Sequence, residues 1–261
     1  MKTRSLEDCD ARYVVERLPR DIRELLTTHY QRLFLGGGFI RATIAGEEPS
    51  DIDLFGVEKT SLQAIAESLR VTREGSTLHT SENAITLLTP NRLPIQFITR
   101  WTFKDIVPLI ESFDFTVCQA AVMRYGSNSN DPWITACGDR FYSDLAARRL
   151  FYTEPIRDEE AGGSMLRVIK YVKRGYSIQV ESLGKVIARM TKNKPAIAPW
   201  DEHFVEQLRE VDPLRVVDGL ELSQEHHPHA EGATFTTAKY SDQLAVSRER
   251  EDTLDAEENT P

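Results

Sequence analysis

The feature that most constrains this sequence is a glycine turn between a strand pattern and a helix pattern. The apolar run RLFL leads directly into three consecutive glycines at positions 36–38, and FIRATIAG has the spacing of a short helix that ends at Gly46. After a polar loop, DIDLFGV is typical of a strand in which Asp51 and Asp53 alternate with apolar residues. Alternate strand residues project from the same face, so two carboxylates follow the glycine turn on one side of a sheet.

Three other glycine or carboxylate motifs do not fit this segment. A P-loop needs Gly-Lys-Ser/Thr after the glycines, and a dinucleotide-binding turn needs a third glycine where Arg41 stands. A calcium loop that began at Asp51 would place Leu62 where a bidentate glutamate belongs. The remaining interpretation is a helix N-terminus that faces a phosphate, with Asp51 and Asp53 positioned to hold Mg²⁺.

Composition indicates an ordinary globular protein. Hydrophobic residues make up 40% of the 261 residues and charged residues 28%, and no apolar stretch is long enough to span a membrane. Three cysteines without CxxC spacing argue against a disulfide framework, so a cytoplasmic protein is expected. The net charge of −9 is uneven: from Gly219 onward ten acidic and three basic residues give −7, which leaves −2 for the rest.

The pattern predicts an α+β fold with a palm-like mixed sheet and flanking helices, then a smaller helical region and a disordered acidic tail. We divide the chain into an N-terminal helical segment (1–30), a head or palm domain (31–145), a helical neck-like region (146–218) and a flexible acidic tail (219–261). Strands are expected at AITLLT and PIQFIT and in the apolar run FDFTVCQAAVM, and the sequence from Leu145 to Arg189 is expected to be helical.

The segment GGFIRATIAGEEPSDIDLF resembles the head-domain signature of poly(A) polymerases and CCA-adding tRNA nucleotidyltransferases, within the polymerase-β superfamily. The matching positions are Gly37, Gly38, Arg41, Gly46, Asp51 and Asp53. Weaker similarity extends over Met165 to Ile178, which resembles the neck helix of those enzymes. There Gly163 and Ser164 stand where the family has an acidic pair.

The resemblance implies a role for each matching position. Gly37 and Gly38 would lie against the triphosphate, Arg41 near the nucleotide, and Asp51 and Asp53 would be ligands of a two-metal Mg²⁺ site. Ser50 is a further phosphate-binding candidate, although a turn role is equally plausible. Two basic residues of the neck-like segment, Arg167 and Lys170, are candidates for nucleotide or RNA binding, but a charged helix face is also commonly just solvated.

The superfamily uses a third carboxylate on a neighbouring strand, and in PIQFIT that place is taken by Gln96, which cannot act as a base. Asp114 is the best substitute as a third catalytic carboxylate. A turn residue that caps the backbone is an equally good interpretation of Asp114.

The sequence therefore predicts a metal-dependent nucleotidyltransferase that uses a nucleoside triphosphate, ATP or CTP, and releases pyrophosphate. The favoured acceptor is the 3′ end of a tRNA-like RNA, with no membrane partner and a protein partner for the acidic tail. A defence or toxin-type transferase that modifies tRNA or protein is an alternative, as is a catalytically silent nucleotide-binding module.

Overall fold

The computed structural model describes residues 2–128, 130–155, 162–191 and 204. The expected acidic tail (219–261) lies outside the described residues, as does most of the neck-like region beyond residue 191. In chain order the helices are α1 (Asp8–Arg17), α2 (Arg20–Thr28), α3 (Gly38–Ile44), α4 (Lys59–Thr72), α5 (Ile106–Glu111), α6 (Phe141–Ala146), α7 (Gly162–Lys173) and α8 (Val180–Met190).

Strands of the described residues form two sheets. They are β1 (Thr3–Arg4), β2 (Leu33–Gly36), β3 (Ile52–Gly56), β4 (Thr77–Thr80), β5 (Ala84–Leu88), β6 (Ile95–Ile98), β7 (Ala120–Arg124), β8 (Trp133–Gly138), β9 (Arg149–Leu150) and β10 (Ser177–Ile178). The large sheet has the order β1-β8-β7-β2-β3-β6-β5-β4, and the small one pairs β9 with β10. The large sheet is mixed, because β3 and β6 run parallel while its other neighbours are antiparallel. The predicted α+β class is confirmed.

The two faces of the large sheet carry separate cores. On β2, Leu33 and Leu35 belong to the main core, whereas Phe34 points to a second cluster built around α5. On β3, Ile52 and Leu54 belong to the main core and Phe55 to the α5 cluster. Strand residues alternate between faces, so Asp53, two residues before Phe55, lies on the face that carries α5.

Most local predictions hold, and the exceptions have physical causes. The apolar run FDFTVCQAAVM begins as a 3₁₀ helix at Thr116–Cys118 before it becomes β7, so the expectation of one strand is only half right. The expectation of helix from Leu145 to Arg189 is wrong at β9 and β10, which pair in parallel. In the N-terminal segment, β1 joins the large sheet through β8.

Among the described stretches, none of the helices combines the length and the apolar character needed to cross a bilayer.

Candidate active site

Asp51 and Asp53 lie beside the glycine turn. Gly36, the last residue of β2, is paired in register with Asp53 of β3. A Cβ atom added to Gly37 would lie 3.9 Å from Asp53 Oδ2, and one added to Gly38 would lie 3.9 Å from Asp51 Oδ1. The backbone of the turn therefore approaches both carboxylates, and any larger residue would extend towards them.

Gly37 is required by its conformation as well as by its neighbours. Its φ of 72° is in the left-handed region, and a Cβ there would lie 3.1 Å from the ring of Phe113. Its N–H donates to the carbonyl of Ala120 on β7 at 3.1 Å. The amides that can face a phosphate are therefore the ones that follow Gly37 in the first turn of α3.

Helix α7 reaches the carboxylate pair through a short hydrogen-bonded chain. Lys170 Nζ donates to Ser50 Oγ at 3.0 Å, and Ser50 Oγ donates to Asp51 Oδ1 at 3.1 Å. Three residues predicted for the site, two of them adjacent in the chain and one from α7, are thus brought together. These hydrogen bonds hold the ammonium group of Lys170 near the expected metal ligands, where it would neutralise charge on a triphosphate.

Asp114 is held by the same helix. Its side chain is only 3% exposed, and its Oδ2 accepts hydrogen bonds from Ser164 Oγ at 3.0 Å and from Arg167 Nη1 at 2.6 Å. The ion pair with Arg167 ties α7 to the segment between α5 and the 3₁₀ helix at Thr116–Cys118. The role of Asp114 as a third catalytic carboxylate stays a prediction, and its present contacts also give it a structural role.

Gln96 lies next to the carboxylate pair. It is paired in register with Asp53 across the parallel strands β3 and β6, and it is 6% exposed. Residues paired in register share a face of the sheet, so the amide of Gln96 stands in the position expected for a third acid.

Arg41 is enclosed behind the glycine turn. It is 1% exposed, ion-paired with Glu47, and within 3.0 Å of the hydroxyl of Tyr176. Its guanidinium also lies over the ring of Tyr171, 5.0 Å from the centroid. Burial lowers the pKa of Arg41, but Tyr171, Cys118, Tyr176 and Glu47 outweigh burial and raise it. Nucleotide binding by Arg41 stays a prediction; in the structure its Nη1 contacts Glu47 and Tyr176.

The partners of Arg41 were missed by sequence reasoning. Glu47 belongs to a loop whose sequence is simply polar. Tyr171 and Tyr176 belong to the neck-like segment, and Tyr176 lies 135 positions after Arg41. The only sequence signal for them is the aromatic pair that flanks the end of a basic helix.

The donor set fits magnesium supplied together with a nucleotide. Two carboxylates are hard oxygen ligands, and Mg²⁺ in phosphoryl-transfer sites is commonly held by one or two carboxylates plus substrate phosphates. Within the described part of the chain, no group of three or more His, Cys, Asp or Glu side chains could hold a metal by itself. Substrate oxygens and water would therefore complete the coordination.

This fold is that of a nucleotidyltransferase, as comparison with solved structures shows. The Thermotoga maritima CCA-adding enzyme complexed with tRNA is similar over 80% of this chain, with a TM-score of 0.51 and 20% identity. A CCA-adding enzyme with CTP gives a TM-score of 0.53 and 18% identity over 80% of this chain. A CCA-adding enzyme with ATP gives a TM-score of 0.52 and 18% identity, also over 80% of this chain. The chain spans about half the length of these structures, covering 50%, 51% and 50% of them respectively.

Residues 8–148 match the model of the family described as "Gad2: Gabija anti-defense 2 family protein". This match covers more than half of the chain, and the chain therefore belongs to the Gabija anti-defense 2 family. No curated protein matches the sequence.

Proposed function

We propose that this protein is a magnesium-dependent nucleotidyltransferase. It transfers a nucleoside monophosphate from a nucleoside triphosphate, ATP or CTP, to an acceptor hydroxyl. The observation that carries the proposal is the placement of Asp51 and Asp53 beside the glycine turn, with 3.9 Å between a carboxylate oxygen and the Cβ position of each glycine. Only glycine leaves room there for a triphosphate to approach both the backbone and the carboxylates.

Each side chain has a part in positioning and charge neutralisation. The first-turn amides of α3 bind phosphate oxygens, and Asp51 and Asp53 hold Mg²⁺. Bound Mg²⁺ would supply Lewis-acid stabilisation of charge on the phosphates. Lys170 and Ser50 keep Asp51 in place and offer an ammonium to the triphosphate, while Arg167 reaches the same region through Asp114. The acceptor oxygen attacks the α-phosphorus, the bond to the β-phosphate oxygen breaks, and pyrophosphate leaves.

Two acceptors are supported by different observations. The fold neighbours, one of which is complexed with tRNA, favour the 3′ end of a tRNA-like RNA. The family description, Gabija anti-defense, favours the alternative of a defence or toxin-type transferase that modifies tRNA or protein. Part of the same proposal is the division into a head domain (31–145) and a neck-like region (146–218), with the acidic tail (219–261) as the segment that meets a protein partner.

The decisive experiment incubates purified protein with Mg²⁺, each α-labelled nucleoside triphosphate in turn, total cellular RNA and a cell lysate, and resolves the products on denaturing gels. Asp51→Asn and Asp53→Asn are run beside the exposed control Asp8→Asn. Label on a discrete band that both site variants lose and the control keeps supports the transferase. Nucleotide binding without any label would instead identify a silent nucleotide-binding module.

A further inference from the structure

Arg41 connects the glycine turn to α7. It belongs to α3, and its N–H donates to the carbonyl oxygen of Gly37 at 3.2 Å. The carbon of its guanidinium lies 5.0 Å from the ring centroid of Tyr171, in α7. Arg41 is 1% exposed and Tyr171 is 5% exposed, and an aromatic face attracts a guanidinium more strongly when both are removed from water. This contact therefore holds α7 against the helix that begins at the glycine turn.

Tyr171 is also tied back to the glycine turn by a second route. Its hydroxyl lies 2.9 Å from Cys118 Sγ, at hydrogen-bond distance. Two residues further along the chain, the carbonyl oxygen of Ala120 accepts the hydrogen bond from Gly37 N–H at 3.1 Å. Burial raises the pKa of Cys118 and of Tyr171, so the thiol and the phenol stay neutral near neutral pH. The contacts thus form a closed path that leaves the glycine turn through Arg41 and returns to it through Ala120.

Arg41 also fixes the loop that leads to the carboxylates. Its guanidinium is ion-paired with Glu47, whose side chain is 13% exposed, and its Nη1 donates to the hydroxyl of Tyr176 at 3.0 Å. Glu47 N–H donates to the carbonyl oxygen of Ala42 in α3 at 2.8 Å. Glu47 lies three residues before Ser50. The loop between α3 and β3 is therefore anchored at Arg41 close to the point where it carries Ser50.

Lys170 directly precedes Tyr171 in α7. Its Nζ donates to Ser50 Oγ at 3.0 Å, and Ser50 Oγ donates to Asp51 Oδ1. Lysine has a flexible four-carbon stem, so the place of its ammonium group depends on the place of the helix that carries it. In an enzyme site, a displacement of about 1 Å can lower the rate about 100-fold. The use of Lys170 in the candidate site therefore requires a fixed distance between α7 and the glycine turn.

We infer that Arg41 and Tyr171 are positioning residues of the candidate active site. Together they hold α7 against the glycine turn, so that the ammonium group of Lys170 lies beside Asp51 and reaches the triphosphate. The inference rests on the proposed nucleotidyl transfer, and it assigns Arg41 a place behind the site instead of a contact with the nucleotide.

A double-mutant cycle on the full chain tests this inference. Tyr171→Leu removes the aromatic ring under Arg41, and Lys170→Met removes the ammonium group. The single and double variants are compared with the wild type in two measurements. One is the binding of ATP and of CTP with Mg²⁺ by calorimetry, and the other is single-turnover labelling of an acceptor with α-labelled triphosphate. Residues that act through one another give effects that do not add, whereas independent residues give effects that add.

Two further variants separate positioning from a general loss of packing. Tyr152→Leu is the matched control, because Tyr152 is also buried and its ring, like that of Tyr171, packs against Phe115. Arg41→Lys keeps the positive charge but removes the planar group that lies over Tyr171. Urea unfolding of every variant defines the conditions in which the folded state is populated, and both measurements are made there.

We expect Tyr171→Leu and Arg41→Lys each to weaken triphosphate binding by about tenfold, because the ammonium group of Lys170 is displaced, and Tyr152→Leu to leave it unchanged. In the Lys170→Met background, Tyr171→Leu and Arg41→Lys should have little further effect. Additive effects in that background would overturn the inference, and for Arg41→Lys they would indicate a direct contact with the nucleotide. An equal loss of binding in Tyr152→Leu would also overturn it.

The two measurements distinguish failure of this inference from failure of the proposed function. Label on an acceptor together with additive effects would leave the transferase standing without the positioning role. Non-additive effects on triphosphate binding, without label on any acceptor, would refute the transferase and leave the positioning role standing. A wild type that binds neither ATP nor CTP would refute both.

Discussion

Lys170 on α7 donates to Ser50 at 3.0 Å, so the helix and the turn that carries Asp51 are coupled through one side-chain contact. We predict that Lys170→Met, which keeps the length of the side chain but removes its charge, lowers kcat by about tenfold or more. The reason is that a hydrogen bond to a charged group contributes about 1.5–3 kcal/mol and the triphosphate also loses a cation. Single-turnover kinetics with saturating triphosphate would measure the loss. Lys173→Met on the same helix is the matched control, and an equal loss in both variants would count against the coupling.

The glycine turn allows a comparison between two glycines that both have a positive φ. Gly37 has φ of 72° and Gly46 has φ of 67°, but an added Cβ would meet Phe113 and the carboxylate of Asp53 at Gly37 and nothing within 4 Å at Gly46. Each Gly→Ala change should cost about 1–2 kcal/mol from left-handed strain. Gly37→Ala should in addition abolish transfer, whereas Gly46→Ala should retain it. Denaturant unfolding and a labelling assay on both variants would test this prediction. If Gly37→Ala were still active, the glycine turn would not be part of the active site.

Asp114 is the predicted third carboxylate, whereas Gln96 holds the strand position next to Asp53. We predict that Asp114→Asn lowers the transfer rate by about 100-fold, the typical contribution of a positioned acid or base, and that Gln96→Ala lowers it far less. Arg167→Met distinguishes a catalytic role of Asp114 from its structural role in holding α7. It breaks the 2.6 Å ion pair but keeps the Asp114 carboxylate. Rates and unfolding curves are compared for all three. Small and equal rate effects of Asp114→Asn and Gln96→Ala would exclude Asp114 from the chemistry.

The buried carboxylate of Asp144 gives the fold an acid-sensitive component. Burial raises its pKa, but hydrogen bonds from Arg140, Thr116 and Arg149 outweigh burial and lower the pKa below 3.8. The stabilisation is thus fully present above about pH 4 and is lost as the pH falls through the lower folded-state pKa. We expect Asp144→Asn to be about 3 kcal/mol less stable near neutral pH, because the ion pairs with two arginines are broken.

Urea unfolding of wild type and Asp144→Asn at about pH 7 and about pH 3 would check this dependence. The difference between the two proteins should shrink at the lower pH. A difference that stayed constant would mean that the ion pairs of Asp144 do not stabilise the fold through its charge. Asp8→Asn, on the exposed side of α1, is the control and should change little at either pH.

The parts of the fold that were predictable are those with a strong local pattern. The glycine turn is marked by its three glycines, β3 and β6 alternate apolar and polar residues, β5 is an apolar run, and α4 has a period of about four residues. By contrast β4, with the sequence TLHT, is a polar edge strand with no buried alternation, and it was not predicted. Elements of two residues, such as β9 and β10, are too short to leave a period and exist only because they pair with each other.

The candidate site divides in the same way. Asp51 and Asp53 could be paired from the sequence because they are two residues apart at the start of β3, and their role as metal ligands stays a prediction. The contacts Lys170–Ser50 and Arg167–Asp114 join residues 120 and 53 positions apart, and no local pattern specifies such pairs. The enclosure of Arg41 depends on Tyr176, 135 positions away, so only tertiary packing reveals it.

Strand β1 sets an order of events during synthesis. Residues 3 and 4 are synthesised before all the other strands of this sheet, whereas their partners Gly138 and Cys137 are made last among its residues. The nearby hydrogen bond from Leu6 to Thr135 spans 129 positions. At about 5–20 residues per second, β1 waits on the order of 10 s for its strand partner β8. Through that interval the main core is incomplete, and the nascent chain is exposed to chaperones and proteases until translation has passed β8.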